Sequence, residues 1–158
     1  MAVHSNKMGY TIIEVMVVMV VLSVLAMAAM PLMELTAKRT KERELRQSLM
    51  DIRHALDMYK NYSDTGHVAK GANMSGYPST LVMLANGVPD LMQGGQMIYF
   101  LRRIPKDPFA PDNIKPEDSW GLRSYHSPPE NPQSGSDVFD VYSLSKQVGM
   151  NGIAYHDW

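Results

Sequence analysis

The longest hydrophobic segment of this chain lies near its N-terminus. From Tyr10 to Met33 nearly every residue is aliphatic or methionine, and no charged residue follows Glu14 within it. These roughly 24 residues would form about 36 Å of helix, enough to cross a bilayer core of about 30 Å. Cleaved secretory signals have apolar regions of about 7–15 residues, so this segment is too long for one. The pattern therefore predicts a membrane-spanning helix over residues 10–33.

A second pattern continues directly beyond the apolar segment. Between Glu34 and Tyr62 there is no glycine or proline, and apolar residues recur at the spacing of one helix face. These residues are Leu45, Leu49, Ile52, Leu56 and Tyr59. We expect residues 34–62 to continue the helix and to pack this stripe against a domain formed by residues 63–158.

The first part of that domain predicts a loop and a short helix. Ser63 to Tyr77 is rich in glycine and small polar residues, which is typical of a loop. A short helix follows, for which we predict Ser79 as the N-cap and Asn86-Gly87 as the end.

The last forty residues predict antiparallel strands. Gly121–Ser127 and Val138–Leu144 are enriched in aromatic and β-branched residues, and a long polar loop separates them. Gly152–Trp158 predicts either an edge strand or a segment that wraps back over the domain. Trp120 and Trp158 are the largest apolar side chains, so each is expected to anchor packing.

Composition excludes several classes of function. The 158 residues include 15 basic and 16 acidic side chains, a net charge of −1, which argues against a nucleic-acid-binding surface. The chain contains no cysteine. Disulfide scaffolds, thiol nucleophiles and cysteine-ligated metal sites are therefore excluded.

Glu14 is the acidic residue within the apolar segment. Burying its carboxylate costs several kcal/mol unless it is paired or stays near the interface. One interpretation is a hydrated interfacial residue. The other requires a cation, and cleavage after Gly9 would create one as the new α-amino group of Tyr10. Between neighbouring copies such a charge pair would also define the axial register.

Residues 7–14, Lys-Met-Gly-Tyr-Thr-Ile-Ile-Glu, resemble the cleavage and methylation motif of type IV pilins and type II secretion pseudopilins. The resemblance implies that Gly9 precedes the scissile bond, that Tyr10 is the N-methylated residue and that Glu14 is the register carboxylate. Two positions depart from the usual motif: Tyr10 replaces the commoner phenylalanine, and Met8 replaces a usually polar or basic residue.

The resemblance also implies a domain organisation. It consists of a leader peptide at 1–9, a transmembrane and filament-core helix at 10–33, an amphipathic continuation at 34–62 and a periplasmic globular domain at 63–158. Pro31 removes a backbone donor, so by itself it indicates a kink or a helix end. The resemblance implies an assembly role for Pro31, because related subunits loosen the helix ahead of such a proline.

A basic run follows the apolar segment and consists of Lys38, Arg39, Lys41, Arg43 and Arg46. We interpret it as a solvated helix face with ion pairs such as Glu34–Lys38 and Glu42–Arg46. Contact with anionic lipid or with acidic patches on neighbouring subunits is the alternative. The positive-inside rule would place this run in the cytoplasm. The prepilin resemblance implies the opposite orientation, with the leader in the cytoplasm and the domain in the periplasm.

A second resemblance covers nearly the whole chain, to the G-type major pseudopilins of type II secretion. The segments that carry it are Asp57–Lys60, Tyr77–Thr80, Ile104–Phe109, Trp120-Gly121 and Asp140–Ser143. It implies an α+β fold in which a long N-terminal helix packs on a small C-terminal domain with a short helix and a three-stranded antiparallel sheet. The absence of cysteine agrees with this family.

That family commonly holds calcium in its C-terminal loop. The corresponding residues 143–152 contain Lys146 and no carboxylate, and calcium takes about 6–8 oxygen ligands. The nearby acidic residues are Asp137, Asp140 and Asp157. We therefore expect no firm cofactor or metal, with calcium as the open alternative. His54 and Asp57 are three residues apart on the helix, but no third ligand is near, so we interpret them as polar surface.

Together the resemblances imply a structural subunit, the major pseudopilin of a type II secretion system. Such a subunit is held in the inner membrane, cleaved by prepilin peptidase and polymerised into a periplasmic filament that drives export across the outer membrane. The implied partners are identical copies through the N-terminal helix, the peptidase, the secretion platform with its ATPase, and minor pseudopilins. A type IV pilus or competence pilin-like subunit is the alternative.

Two other classes of function compete with this hypothesis. A single-pass periplasmic enzyme would depend on His67, His126, His156 with Asp157, or Ser145, and no catalytic motif surrounds these residues. A membrane-tethered binding module would need the anchor but neither Gly9 nor Glu14. We therefore predict a protein that is not an enzyme.

Overall fold

The structure, a computed structural model, describes residues 9–70 and 75–158, and only the backbone of residues 28–31. Helix α1 spans Ile12–Asp64. The other elements are helix α2 (Val82–Asn86), strands β1 (Val88–Pro89) and β2 (Met97–Ile98), a 3-10 helix (Pro116–Asp118), strands β3 (Trp120–Arg123) and β4 (Asp140–Ser143), and a second 3-10 helix (Tyr155–Asp157). This is the predicted α+β fold, a long N-terminal helix packed on a small C-terminal domain.

The chain divides into two compact units, Met1–Arg39 and Thr40–Trp158. Within the first unit the backbone of α1 continues through Pro31, so the helix end considered at this proline is not observed. The second unit contains the rest of α1 and all of the other elements.

The predicted apolar stripe of α1 forms the core of the second unit. Its five members are nearly or fully buried: Leu45, Leu49, Ile52, Leu56 and Tyr59. They pack with side chains from the C-terminal domain such as Leu84, Val138 and Val141. Full burial of a Leu or Ile side chain stabilises a fold by about 1.5–3 kcal/mol. This stripe therefore holds the domain on the helix.

Strands β3 and β4 pair antiparallel, with Trp120 opposite Ser143 and Arg123 opposite Asp140. Both strands are shorter than predicted. Beyond β3, the N–H of Ser124 bonds to the carbonyl of Gln133, and the N–H of Tyr125 bonds to the carboxylate of Asp137. These bonds occupy the donors that a longer ladder would have used.

The prediction of a three-stranded sheet is wrong for the described residues. Their strands form two separate antiparallel pairs, β1 with β2 and β3 with β4. The C-terminal segment makes one isolated bridge, between Val148 and Ala154, and then coils into the second 3-10 helix. This coil turns Tyr155 into the core, where it is fully buried. Of the two predictions for this segment, wrapping back over the domain is confirmed.

Helix α2 begins later than predicted, and the prediction of Ser79 as its N-cap is wrong. Leu81 occupies that position without a side-chain bond, and the hydroxyl of Ser79 contacts the sulfur of Met83 instead. The predicted end is confirmed at Gly87, which has a φ of 81°. An added Cβ at Gly87 would lie 2.9 Å from the carbonyl oxygen of Ile98, so glycine is required for space as well.

Both tryptophans anchor packing, as predicted. Trp120 is buried, and its ring N–H donates to the carbonyl of Pro105 at 2.8 Å. Trp158 packs edge-on against Tyr155, with ring centroids 5.0 Å apart.

Candidate functional site

The N-terminal segment places the predicted cleavage site just ahead of a capped helix. The hydroxyl of Thr11 accepts the backbone N–H of Glu14 at 3.3 Å, and its carbonyl accepts the N–H of Val15. A threonine in this position satisfies an N–H group that the first helical turn leaves without a partner. Thr11 therefore sets where α1 begins, and the two residues before it stay outside the helix.

Gly9 and Tyr10 are the residues on either side of the predicted scissile bond. Neither belongs to α1, and the Tyr10 side chain is 83% exposed. No atom lies within 4 Å of the position that a Cβ on Gly9 would occupy. The bond between these residues is therefore open to a peptidase. Lys7 and Met8, which belong to the same predicted motif, lie outside the described residues.

From Val15 to Met27 the surface of α1 is apolar on all sides, apart from Ser23. Each large apolar side chain from Ile12 to Met27 is at least half exposed. Soluble monomers rarely expose apolar patches beyond a few hundred Å². Among the described residues, α1 is the one helix that is long and apolar enough to cross a membrane, and none of its most apolar stretch is buried in the chain. This distinguishes it from the core helix of a soluble protein and fits membrane anchoring.

Glu14 lies in the first turn of α1, exposed and surrounded in sequence by this apolar surface. A carboxylate near a helix N-terminus is favoured by the helix dipole. If the apolar surface is buried in lipid or among other helices, the same carboxylate needs a cation or water.

A different acidic residue, Glu42, anchors the C-terminal segment to α1. One carboxylate oxygen of Glu42 accepts the backbone N–H of Met150 at 2.8 Å and the hydroxyl of Tyr155 at 3.0 Å. Burial, the hydrogen bond to Glu42 and the charge of that carboxylate raise the pKa of Tyr155 to about 12. Glu42 is itself buried. Its predicted role as a surface ion-pair partner of Arg46 is therefore wrong.

Arginines on α1 and β3 hold the sheet and the C-terminal residue. Arg53 and Arg123 both bond to the carboxylate of Asp140, at 2.8 Å and 3.0 Å. Arg53 also donates to the main-chain oxygen of Trp158 at 2.8 Å. The Arg46 guanidinium lies over the Trp158 ring, 4.3 Å from its centroid. These contacts attach the C-terminal segment to the helix at a second point.

Another buried carboxylate, that of Asp90, closes the loop between β1 and β2. Asp90 accepts the N–H of Met92 at 2.8 Å and contacts Nδ1 of His67 at 2.9 Å. Burial opposes ionisation of Asp90, but the hydrogen bonds from Met92 and His67 outweigh it, so the pKa of Asp90 is lowered. The backbone of Asp90 also bonds to Gln96 and Gly95, which closes the neck of the loop.

The residues considered for catalysis are engaged in local contacts. His67 pairs with Asp90, His156 pairs with its neighbour Asp157, and the ring of His126 packs on that of Tyr125. The hydroxyl of Ser145 accepts the N–H of Gln147. The structure does not bring these side chains together into a nucleophile and base.

Two places in the sequence offer candidate metal ligands. His54 and Asp57 are exposed on α1, as expected of polar surface. The three carboxylates near the C-terminal loop have other partners: Asp137 bonds to Ser75, Ser124 and Tyr125, Asp140 to two arginines, and Asp157 to His156. Within the described part of the chain, no group of three or more His, Asp or Glu residues is placed to hold a metal ion.

The comparisons with known proteins bear on the N-terminal segment. Residues 5–30 match the family model of the prokaryotic N-terminal methylation motif. No curated protein and no solved structure matches the chain. The motif is of the prepilin type and supports a type IV pilin-like subunit, processed by prepilin peptidase and polymerised like a pilus. Proteins with this motif are structural rather than enzymatic.

Proposed function

We propose that this chain is the major pseudopilin of a type II secretion system. Residues 1–9 are the leader, the bond after Gly9 is cut, and Tyr10 becomes the methylated N-terminus. Residues 10–33 hold the subunit in the inner membrane and later form the filament core. Residues 34–62 continue this helix, and residues 63–158 complete the periplasmic domain.

Two facts together carry this proposal. The methylation motif matches residues 5–30, and these residues include the part of α1 whose apolar surface is not covered by its own chain. Lipid can cover that surface before assembly. Identical helices can cover it afterwards, because close side-chain packing favours helix association once lipid is displaced. One apolar helix thereby serves both as anchor and as filament core, and the repeated contact generates an open filament.

Glu14 gives this assembly its register. After cleavage, the α-amino group of Tyr10 supplies a cation at the same end of the helix. An unpaired carboxylate within an apolar bundle is strongly disfavoured, so a neighbouring subunit is placed where its amine meets Glu14. Pro31 would act when the subunit moves from the membrane into the filament, because a proline weakens the helix around it.

The energy for extraction has to come from a partner. The chain contains no glycine-rich phosphate-binding motif of the type G-x-x-x-x-G-K-[ST], so we assign this step to the ATPase of an inner-membrane secretion platform. Minor pseudopilins are the expected partners that begin the filament.

Two substitutions test the proposal. Gly9→Ala should block cleavage and abolish filaments without a folding effect, because a Cβ at Gly9 meets no atom within 4 Å. Glu14→Ala should leave cleavage and membrane insertion intact and stop filament growth. A tethered enzyme or binding module would tolerate both changes, and normal filaments from either variant would overturn the proposal.

The alternative, a type IV pilus or competence subunit, shares the same motif. The C-terminal segments shared with G-type pseudopilins favour secretion. Deletion of the chain distinguishes the two, because a pseudopilin's loss should leave exported proteins in the periplasm. Loss of surface fibres or of DNA uptake with normal export would identify the alternative.

A further inference from the structure

Two apolar features of the C-terminal domain are not covered by its own chain. The first, which we call the hairpin knob, is formed by Leu91, Met92, Met97 and Tyr99 at and beside the β1–β2 loop. Their side chains are between 44% and 63% exposed. Residues 91–99 contain no charged side chain. The closed neck at Asp90, held by His67, presents this knob in a defined position.

The second feature, which we call the helix groove, lies beside α1 and has a volume of about 330 Å³. Its apolar lining consists of Leu49, Met50, Ile153 and Trp158, and its polar lining of Arg46, Arg53, Asn151 and Asp157. Met50 and Ile153 are about half exposed. The Arg46 guanidinium lies over the Trp158 ring and Arg53 is paired with Asp140, so both groups already have partners.

The knob and the groove are displaced from each other along α1. Met50 precedes the end of α1 at Asp64 by 14 residues, or about 21 Å of helix, and the knob is attached just beyond that end through the carbonyl of His67. Copies inserted in a membrane by the same helix are parallel. A copy shifted by at least about 21 Å along the filament axis therefore offers its knob at the level of another copy's groove.

We propose that the hairpin knob of one copy docks in the helix groove of a second copy at least about 21 Å further along the filament, beyond the neighbour whose amine meets Glu14. This inference rests on the proposed function, because it requires assembled subunits. The contact is heterologous, so it repeats from copy to copy and does not close into a dimer. Uncharged Leu, Met and Tyr side chains suit an apolar groove, and methionine on both surfaces adapts its shape to the contact.

The size of the contact explains why it depends on assembly. The knob consists of four exposed side chains, whereas a stable interface involves about 20–30 residues on each side. The contact is therefore too small to pair free domains. Once the α1 helices hold two copies together, the effective concentration of knob and groove is high enough for it to form.

The absence of cysteine from the chain allows a clean crosslinking test. One population carries Met92→Cys in the knob and a second carries Met50→Cys in the groove, so a disulfide between them joins different copies. The control pairs Met92→Cys with Met58→Cys, an exposed methionine on α1 that does not line the groove. Mixed filaments are assembled, treated with a mild oxidant and separated without reductant.

The expected result is disulfide-linked dimer several-fold more abundant in the Met92/Met50 pair than in the Met92/Met58 pair. Equal yields, or dimers mainly between two Met92→Cys chains, would overturn the inference. Filaments that form without any Met92/Met50 disulfide would also overturn it while leaving the proposed function intact. Absence of filaments from the cysteine-free chain would overturn both.

A charge substitution gives an independent readout. Met92→Lys places a cation where the groove already holds two arginines, and it should shorten filaments several-fold without changing cleavage at Tyr10. Met58→Lys is the matched control and should leave filament length unchanged. Equal filament lengths for the two variants would overturn the inference.

Discussion

The carboxylate of Glu42 on α1 lies 3.0 Å from the hydroxyl of Tyr155, which donates a hydrogen bond to it inside the core. The Tyr155 ring also stacks on Phe109, with centroids 4.1 Å apart. Because the same carboxylate oxygen accepts the N–H of Met150, one side chain of the helix fixes two points of the C-terminal segment. The C-terminal segment is thus attached to α1 by two hydrogen bonds, from the Met150 N–H and from the Tyr155 hydroxyl.

Removing the Tyr155 hydroxyl tests this attachment. Tyr155→Phe keeps the ring but leaves the buried Glu42 carboxylate with one fewer donor, so the free energy of unfolding should fall by about 1–3 kcal/mol. Urea denaturation of the full chain in detergent micelles measures the change. Tyr99→Phe, at an exposed tyrosine, is the control and should change stability by less than about 0.5 kcal/mol. Equal effects of the two variants would contradict the role of this hydrogen bond.

The same pair predicts how stability changes at alkaline pH. The pKa of Tyr155 is about 12 in the folded chain, above its ordinary value of 10.0. The bond to Glu42 therefore contributes fully below the ordinary value and is lost as the pH rises towards 12. The denaturation midpoint should fall over this range, and less steeply in Tyr155→Phe than in Tyr99→Phe. Identical slopes would show that Tyr155 does not titrate in the folded chain as described.

Asp90 predicts the opposite dependence, on the acid side. Its pKa lies below the ordinary value of 3.8, so its ionised form stabilises the fold above that value and the contribution disappears as the pH falls through the folded pKa. Asp90→Asn retains the shape and removes the charge. The loss of stability between about pH 5 and about pH 3 should therefore be smaller than in the parent chain.

The control for this prediction is Asp57→Asn, at an exposed carboxylate on α1. It should keep the acid dependence of the parent chain. If the stability of Asp90→Asn falls with pH as steeply as that of the parent chain, the proposed role of Asp90 at the neck of the hairpin knob is contradicted.

Gly121 provides a test of packing across the β3–β4 pair. It lies opposite Tyr142, and a Cβ added at Gly121 would overlap the Tyr142 ring. Gly121→Ala should reduce the free energy of unfolding by about 1–3 kcal/mol, as in other overpacked positions. In the Tyr142→Ala background the same substitution should cost much less, and the difference is the coupling measured by the double-mutant cycle. Additive effects would contradict the predicted overlap.

The helical core could be predicted because its information is local. Leu45 to Tyr59 repeat at alternating steps of four and three residues, and all five are buried. Glu42 lies three residues before Leu45 and therefore on the same face. Its burial could not be predicted because a carboxylate is not part of an apolar stripe, and because the donors that satisfy it come from a segment about a hundred residues away.

The strand ends could not be predicted for the same physical reason. Ser124 and Tyr125 have side chains that suit a strand, but Asp137, across the loop, takes the N–H of Tyr125. Tyr155 likewise lies in a 3-10 helix and not in an edge strand, and its hydroxyl donates to Glu42 on α1. In each case a contact between distant segments outweighs the local preference.

The N-terminal site differs, because its residues are contiguous. The sequence alone predicts Gly9, Tyr10 and Glu14 as site residues, and the family model covers all three positions. Thr11 was part of the same motif, and its function as the helix cap became apparent from the hydrogen bond to the N–H of Glu14.

The central claim is that the apolar helix is released from a leader in order to be buried among its own copies. The mass of the intact N-terminus of the natural protein, isolated from cells, tests it most directly. The account predicts a chain that starts at Tyr10 and carries one methyl group on its α-amino nitrogen. A mature chain that retains residues 1–9, or that is cut within the apolar segment, would contradict it.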